Sequence, residues 1–120
     1  MMLGHVRDHF PRISLSLPGR SGPLVTEFIV DTGFDGDLAF PQSVVNCLEA
    51  TPSDAHDVRM ADGSQQARAY YEIDLEWQEE DRMTEVLVLD SQPLLGVGLM
   101  EGHLLQAEML TGGEVSLEPL

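Results

Sequence analysis

The chain has 120 residues, 42% apolar and 22% charged, which is enough to fill one core without a metal or disulfide staple and too apolar for disorder throughout. Its 21 carboxylates meet only six cationic side chains, all arginine, for a formal net charge of −15. A surface so acidic repels phosphate backbones and anionic headgroups, so nucleic acid and membrane are set aside as partners.

No apolar run approaches the ~20 residues of a membrane span, and the first residues lack the basic-then-apolar pattern of a signal peptide. Cys47 is the only cysteine. A reducing, cytoplasmic setting is therefore expected, with Cys47, among Val44, Val45 and Leu48, acting as a small buried hydrophobe.

Residues 1–11 read as a mobile N-terminal arm and residues 12–120 as the single domain. His5 and His9 have metal-ligand spacing only on a helix, and no third ligand is evident; no metal and no cofactor is expected. Ile13-Ser14-Leu15-Ser16-Leu17 alternates with period two, as a half-buried strand does. Residues 18–23 are a Pro/Gly turn, and Leu24 to Val30 is a second strand that pairs with the first. Asp31 to Asp37 interrupts the apolar run, and Leu38-Ala39-Phe40 is a short strand. Pro41 suits the first turn of a two-turn helix carrying Val44, Val45 and Leu48.

Val58 to Met60 and Ala67 to Trp77 read as strands flanking Ala61-Asp62-Gly63-Ser64, an Asp-Gly hairpin tip. Ala69, Tyr71, Ile73, Leu75 and Trp77 share one face. A charged turn at 78–82 leads to a strand from Met83 to Leu89. Pro93 to Gly98 leads into a helical patch ending at Leu104, and Ala107 to Leu110 pairs with Val115 to Leu117. Short, closely spaced strands of this kind suggest a small, closed or partly closed β-barrel with one or two short helices.

The segment with chemical content is Phe28-Ile29-Val30-Asp31-Thr32-Gly33-Phe34-Asp35-Gly36. It puts a carboxylate at the mouth of an apolar strand, a hydroxyl that can lock the loop, and a glycine that admits close backbone approach. An alternative is a calcium loop: Asp31, Asp35, Gly36 and Asp37 match positions of the helix-flanked cation loop. That loop, however, needs a carboxylate where Gln42 stands and a helix where this chain has a strand.

The segment resembles the single-domain, retropepsin-like aspartic proteases (clan AA) of bacterial type. The resemblance runs from Ile29-Val30-Asp31-Thr32-Gly33 through Asp35 and Leu38-Ala39-Phe40. It continues through a flap hairpin at Ala61-Asp62-Gly63 to Leu94-Leu95-Gly96 and the helical patch after it, and so covers roughly residues 12 to 118. It implies an all-β, partly closed acid-protease barrel and an aspartic endopeptidase. Asp31, Thr32 and Gly33 are then the catalytic segment, and Gly33, Asp35, Ala61, Asp62 and Gly63 are the contacts to an extended polypeptide substrate. Retroviral members carry an arginine after the late glycine that ties down the acidic residue two positions past Gly33; Val97 stands there in this chain.

The chemistry needs two close carboxylates sharing one proton, and the chain has one Asp-Thr-Gly. The second must come from a second copy, so the endopeptidase reading implies a homodimer with Asp31 of each protomer at the two-fold axis. By the same resemblance, Arg12 to Leu17 and Val115 to Leu117 are expected to supply interface strands. The other class of reading is a fold-alike that dimerises or binds peptides without cutting them.

Overall fold

Period-two alternation decides most of the fold. The computed structural model describes residues 1–59 and 65–120, with the backbone path alone for 54–59 and 65–67. Ten strands form one sheet: β1 (Met2–Arg7), β2 (Phe10–Leu17), β3 (Leu24–Val30), β4 (Leu38–Phe40), β5 (Thr51–Arg59), β6 (Gln65–Trp77), β7 (Glu80–Val88), β8 (Leu94–Leu95), β9 (His103–Ala107) and β10 (Glu114–Pro119). Two single-turn helices, α1 (Gln42–Val45) and α2 (Val97–Met100), interrupt it.

The strand order is β5-β6-β7-β4-β8-β3-β2-β1-β10-β9. Neighbours are antiparallel except β3–β8 and β4–β7. The expected closed or partly closed barrel is not formed: the sheet is open, and β5 and β9 lie at its two ends. The wing β5-β6-β7-β4 and the wing β2-β1-β10-β9 meet through side chains and not through hydrogen bonds between edge strands. Ile13, Leu15 and Leu17 of β2, Phe28 of β3, Phe40 of β4, Ile73 and Leu75 of β6, and Val115 and Leu117 of β10 belong to one buried cluster. Each such side chain contributes about 2 kcal/mol of burial free energy. Alternation identifies which face of a strand is buried; it carries no information on whether the last strand bonds to the first.

The separate arm expected at 1–11 is part of this sheet. β1 is paired on one side with β2 (Gly4↔Ile13) and on the other with β10 (Met2↔Leu117). It is joined to β2 by a two-residue turn in which Asp8 (φ 51°) and His9 (φ 70°) are both left-handed. Gln78 (φ 51°) and Glu79 (φ 71°) make the same kind of turn between β6 and β7. This geometry matches the strand twist, and it favours Asn and Gly; the turn expected at 78–82 is confined to Gln78 and Glu79, while the turn at Asp8-His9 does not announce itself in the sequence.

Four further expectations are corrected. Cys47 is exposed, not buried, because α1 is one turn long and Val45 and Leu48 take the inward positions. The helical patch ends at Met100, where Gly102 (φ 80°) turns the chain so that Leu104 lies in β9. The strand expected at 107–110 is instead His103–Ala107. Finally, β2 is flanked by β3 and β1, and β10 by β1 and β9, so neither presents a free edge for an interface strand. The flap tip expected at Ala61-Asp62-Gly63 lies outside the described residues; β5 and β6 on either side of it pair antiparallel from Thr51↔Glu72 to Arg59↔Gln65.

On the outer face, Arg7 Nη1 donates to Glu27 Oε2 at 3.0 Å, with a second contact from Nη2 to Oε1. That hydrogen bond holds the Glu27 carboxyl below its ordinary value of 4.5, against a smaller opposing effect of burial. A folded-state pKa lower than the unfolded one stabilises fully above the unfolded value and is lost as pH falls. Glu27→Gln is therefore expected to lower stability near pH 7 and leave it unchanged near pH 2, as read by urea unfolding at the two values. Glu79→Gly should stabilise the fold by about 0.5–1 kcal/mol, since glycine takes the left-handed turn position without steric cost; a raised urea midpoint at unchanged slope is the check.

Candidate active site

The site is built around the insertion of β8 between two strands. Ile29 and Val30 pair in parallel with Leu94 and Leu95, and Leu38 and Ala39 pair antiparallel with Leu95 and Leu94. Both flanks of this two-residue strand are therefore used. The chain between β3 and β4, Asp31 to Asp37, has to loop around the end of β8. Four backbone hydrogen bonds stitch it there: Asp31 N–H to the Leu95 carbonyl (2.9 Å), Gly96 N–H to Asp37 (2.9 Å), Val97 N–H to Phe34 (2.8 Å) and Gly98 N–H to Gly36 (3.0 Å).

The approach is close enough that side chains are excluded. A Cβ on Gly96 would overlap the Gly36 carbonyl oxygen and lie 2.6 Å from the Phe34 ring. A Cβ on Gly98 would overlap Asp37 Oδ1. Gly33, by contrast, faces no neighbour closer than Asp31 Oδ1 at 3.2 Å; within the loop the tight glycine is Gly36, whose Cβ would lie 2.6 Å from the Phe34 ring.

Asp31 is half-buried and Thr32 and Gly33 are exposed. The Asp31 carboxylate accepts the Gly33 N–H at 2.9 Å, and Phe34 N–H reaches the Asp31 carbonyl at 3.2 Å. This Asx turn fixes the carboxylate relative to its own loop. Thr32 makes no hydrogen bond through its hydroxyl among the described residues, so backbone bonds hold the loop where a hydroxyl lock was expected.

Asp35 is exposed and lines a cavity of about 420 Å³ together with Val97, Gly98, Met100 and His103. The ion-paired aspartate of the loop is Asp37, a residue the sequence reading considered only as a cation ligand. Its Oδ2 accepts the Glu85 N–H at 3.1 Å, and its Oδ1 lies 3.6 Å from Arg82 Nη2. Arg82 and Glu85 sit on β7, and nothing in their local sequence marks them. Tyr70, on β6, is a further residue near the site. Burial pushes its hydroxyl above the ordinary value of 10, and the carboxylates of Glu85 and Asp35 push the same way, so it remains a neutral donor at physiological pH. The sequence thus brings together Asp31, Thr32, Gly33 and Asp35; Ala61, Asp62 and Gly63 lie outside the described residues.

Among the described residues, no group of three or more His, Cys, Asp or Glu side chains could hold a metal ion, and no helix is long and apolar enough to cross a membrane. No family model matches the chain, and no curated protein or solved structure matches it. What the site can do therefore rests on its geometry: a carboxylate at a strand end, on a loop held against a second segment, with exposed backbone beside it. Gly96→Ala should unfold or distort this loop, at about 2–3 kcal/mol of stability. Gly33→Ala should be tolerated within about 1 kcal/mol. Urea unfolding of the two variants makes the comparison.

Proposed function

We propose that the chain is one protomer of a homodimeric aspartic endopeptidase that cleaves extended polypeptides, with Asp31 as the catalytic carboxylate and no cofactor. The observation that carries this reading is the half-buried Asp31 at the end of β3, on a loop bonded to the residues that follow β8. The resemblance of residues 12 to 118 to retropepsin-like proteases supports it.

In this mechanism two Asp31 carboxylates meet across a two-fold axis. Like charges that close cannot both ionise, so the pair keeps one proton. The ionised member takes a proton from water, which attacks the scissile carbonyl, while the protonated member donates to the carbonyl oxygen. The substrate lies as an added strand against Gly33 and Asp35; the contacts that the resemblance implies at Ala61, Asp62 and Gly63 fall outside the described residues. A cytoplasmic setting belongs to this reading. The dimer contact avoids pairing through β2 or β10, whose flanks are taken. Of the two end strands, β9 carries no carboxylate along His103–Ala107, so it meets a second copy of a −15 chain with least repulsion.

A second reading, a non-catalytic dimerisation or peptide-binding module, is favoured by one contact. The Asp31 carboxylate has a turn-forming task, accepting the Gly33 N–H at 2.9 Å, that requires no catalysis. Asp31→Asn separates the two readings, because asparagine keeps that acceptor and cannot share the proton. Peptide hydrolysis is expected to fall by at least about a thousandfold, with the mass by light scattering unchanged at twice that of the chain. A variant that cuts as well as the wild type in a clean preparation, or a wild-type chain that binds peptides and cuts none, would sink the endopeptidase reading.

A further inference from the structure

We propose that Asp37 and Arg82 are a positioning pair for Asp31, an ion pair that fastens the far end of the Asp31 loop to β7 and α2 at once. The inference rests on the endopeptidase reading above.

The loop has two ends. Its near end is fixed by the Asp31 N–H on the Leu95 carbonyl. Its far end is Asp37, whose side chain is only 16% exposed. A carboxylate so far removed from water is held only if it is hydrogen-bonded and paired. Glu85 supplies the hydrogen bond through its backbone N–H at 3.1 Å, and Arg82 supplies the charge at 3.6 Å. The same Arg82 Nη2 donates to the Gly98 carbonyl at 3.2 Å. One guanidinium thus faces both the loop carboxylate and the single turn of α2.

Gly98 completes the arrangement, because any Cβ there would overlap Asp37 Oδ1; the chain leaves room for this carboxylate. α2 itself has no side-chain N-cap. The Phe34 and Gly36 carbonyls accept from Val97 and Gly98, so any displacement of α2 is passed directly to the loop. Releasing Arg82 frees α2 and the loop to shift together, and Asp31 moves with them relative to its counterpart across the two-fold axis. In the homodimer each displacement occurs twice.

The test uses the purified dimer and a peptide it cleaves, with kcat and KM measured well below the Tm of each variant. Arg82→Met is expected to lower kcat by about tenfold to a hundredfold, the effect of displacing a reacting group by about an ångström, with KM little changed. Arg82→Lys should recover most of that loss. The double variant Asp37→Asn/Arg82→Met should be no worse than the more damaged single one. If Arg82→Met does not fold, Asp37→Asn carries the same expectation, since it keeps an acceptor for the Glu85 N–H and removes only the charge. A lowered Tm with wild-type kcat would make the pair merely structural and overturn the inference, as would strictly additive losses. A folded wild-type dimer that cleaves no peptide overturns the endopeptidase reading itself, and that failure shows in the unaltered chain before any variant is compared.

Discussion

The constraint on which the rest depends is the two-residue strand β8. A strand this short has no stability of its own. It persists because Leu95 is fully buried and because β3 and β4 bond to its two sides. Its presence there forces β3 and β4 apart and makes the intervening chain a loop of fixed length wrapped around Gly96 to Gly98. Each backbone bond in that wrapping contributes about 1 kcal/mol. Together they define where Asp31 stands more tightly than any side-chain contact of Asp31 does.

Four of the six arginines tie separate segments together. Arg7 crosses from β1 to Glu27 on β3. Arg12, almost fully buried, donates to the Arg7 carbonyl and to Gln92 Oε1. Arg20 donates from the β2–β3 turn to the Leu48 carbonyl just beyond α1, and Arg82 joins β7 to α2. Arg7 and Arg82 thus link segments that the sheet ladder does not join side by side, and Arg12 ties the paired strands β1 and β2 to Gln92. A guanidinium suits this work, because its several donors reach backbone carbonyls and carboxylates together.

Much of the strand content was legible because burial imposes alternation. Ile13, Leu15 and Leu17 point inward as read, and so do Ile73, Leu75 and Trp77. The Asp31-Thr32-Gly33 loop after β3 was legible for the same reason: an apolar run ended in an acidic, glycine-containing turn. The failures have a common cause. The open edges of the sheet, the place of β1 between β2 and β10, and the ion pair of Asp37 with Arg82 are all long-range relations, set by which segments meet and not by the order of residues within any one of them. The turn at Asp8-His9 failed differently: it adopts a backbone whose preferred residues it lacks, and the strands on either side impose it.

The placing of β1 has a consequence for how the chain acquires its shape. β1 pairs with β10, a strand far along the sequence, with Met2 facing Leu117. One flank of β1 stays open until that distant strand is in place. The parallel partner of β3 likewise arrives only with Leu94 and Leu95. Such distant pairings place the chain among high-contact-order topologies, which fold slowly because long loops must close before their contacts stabilise anything. The wing that carries β1 and the loop that carries Asp31 thus both depend on contacts between distant segments, and a partly folded chain leaves a flank of β1 unpaired until β10 docks.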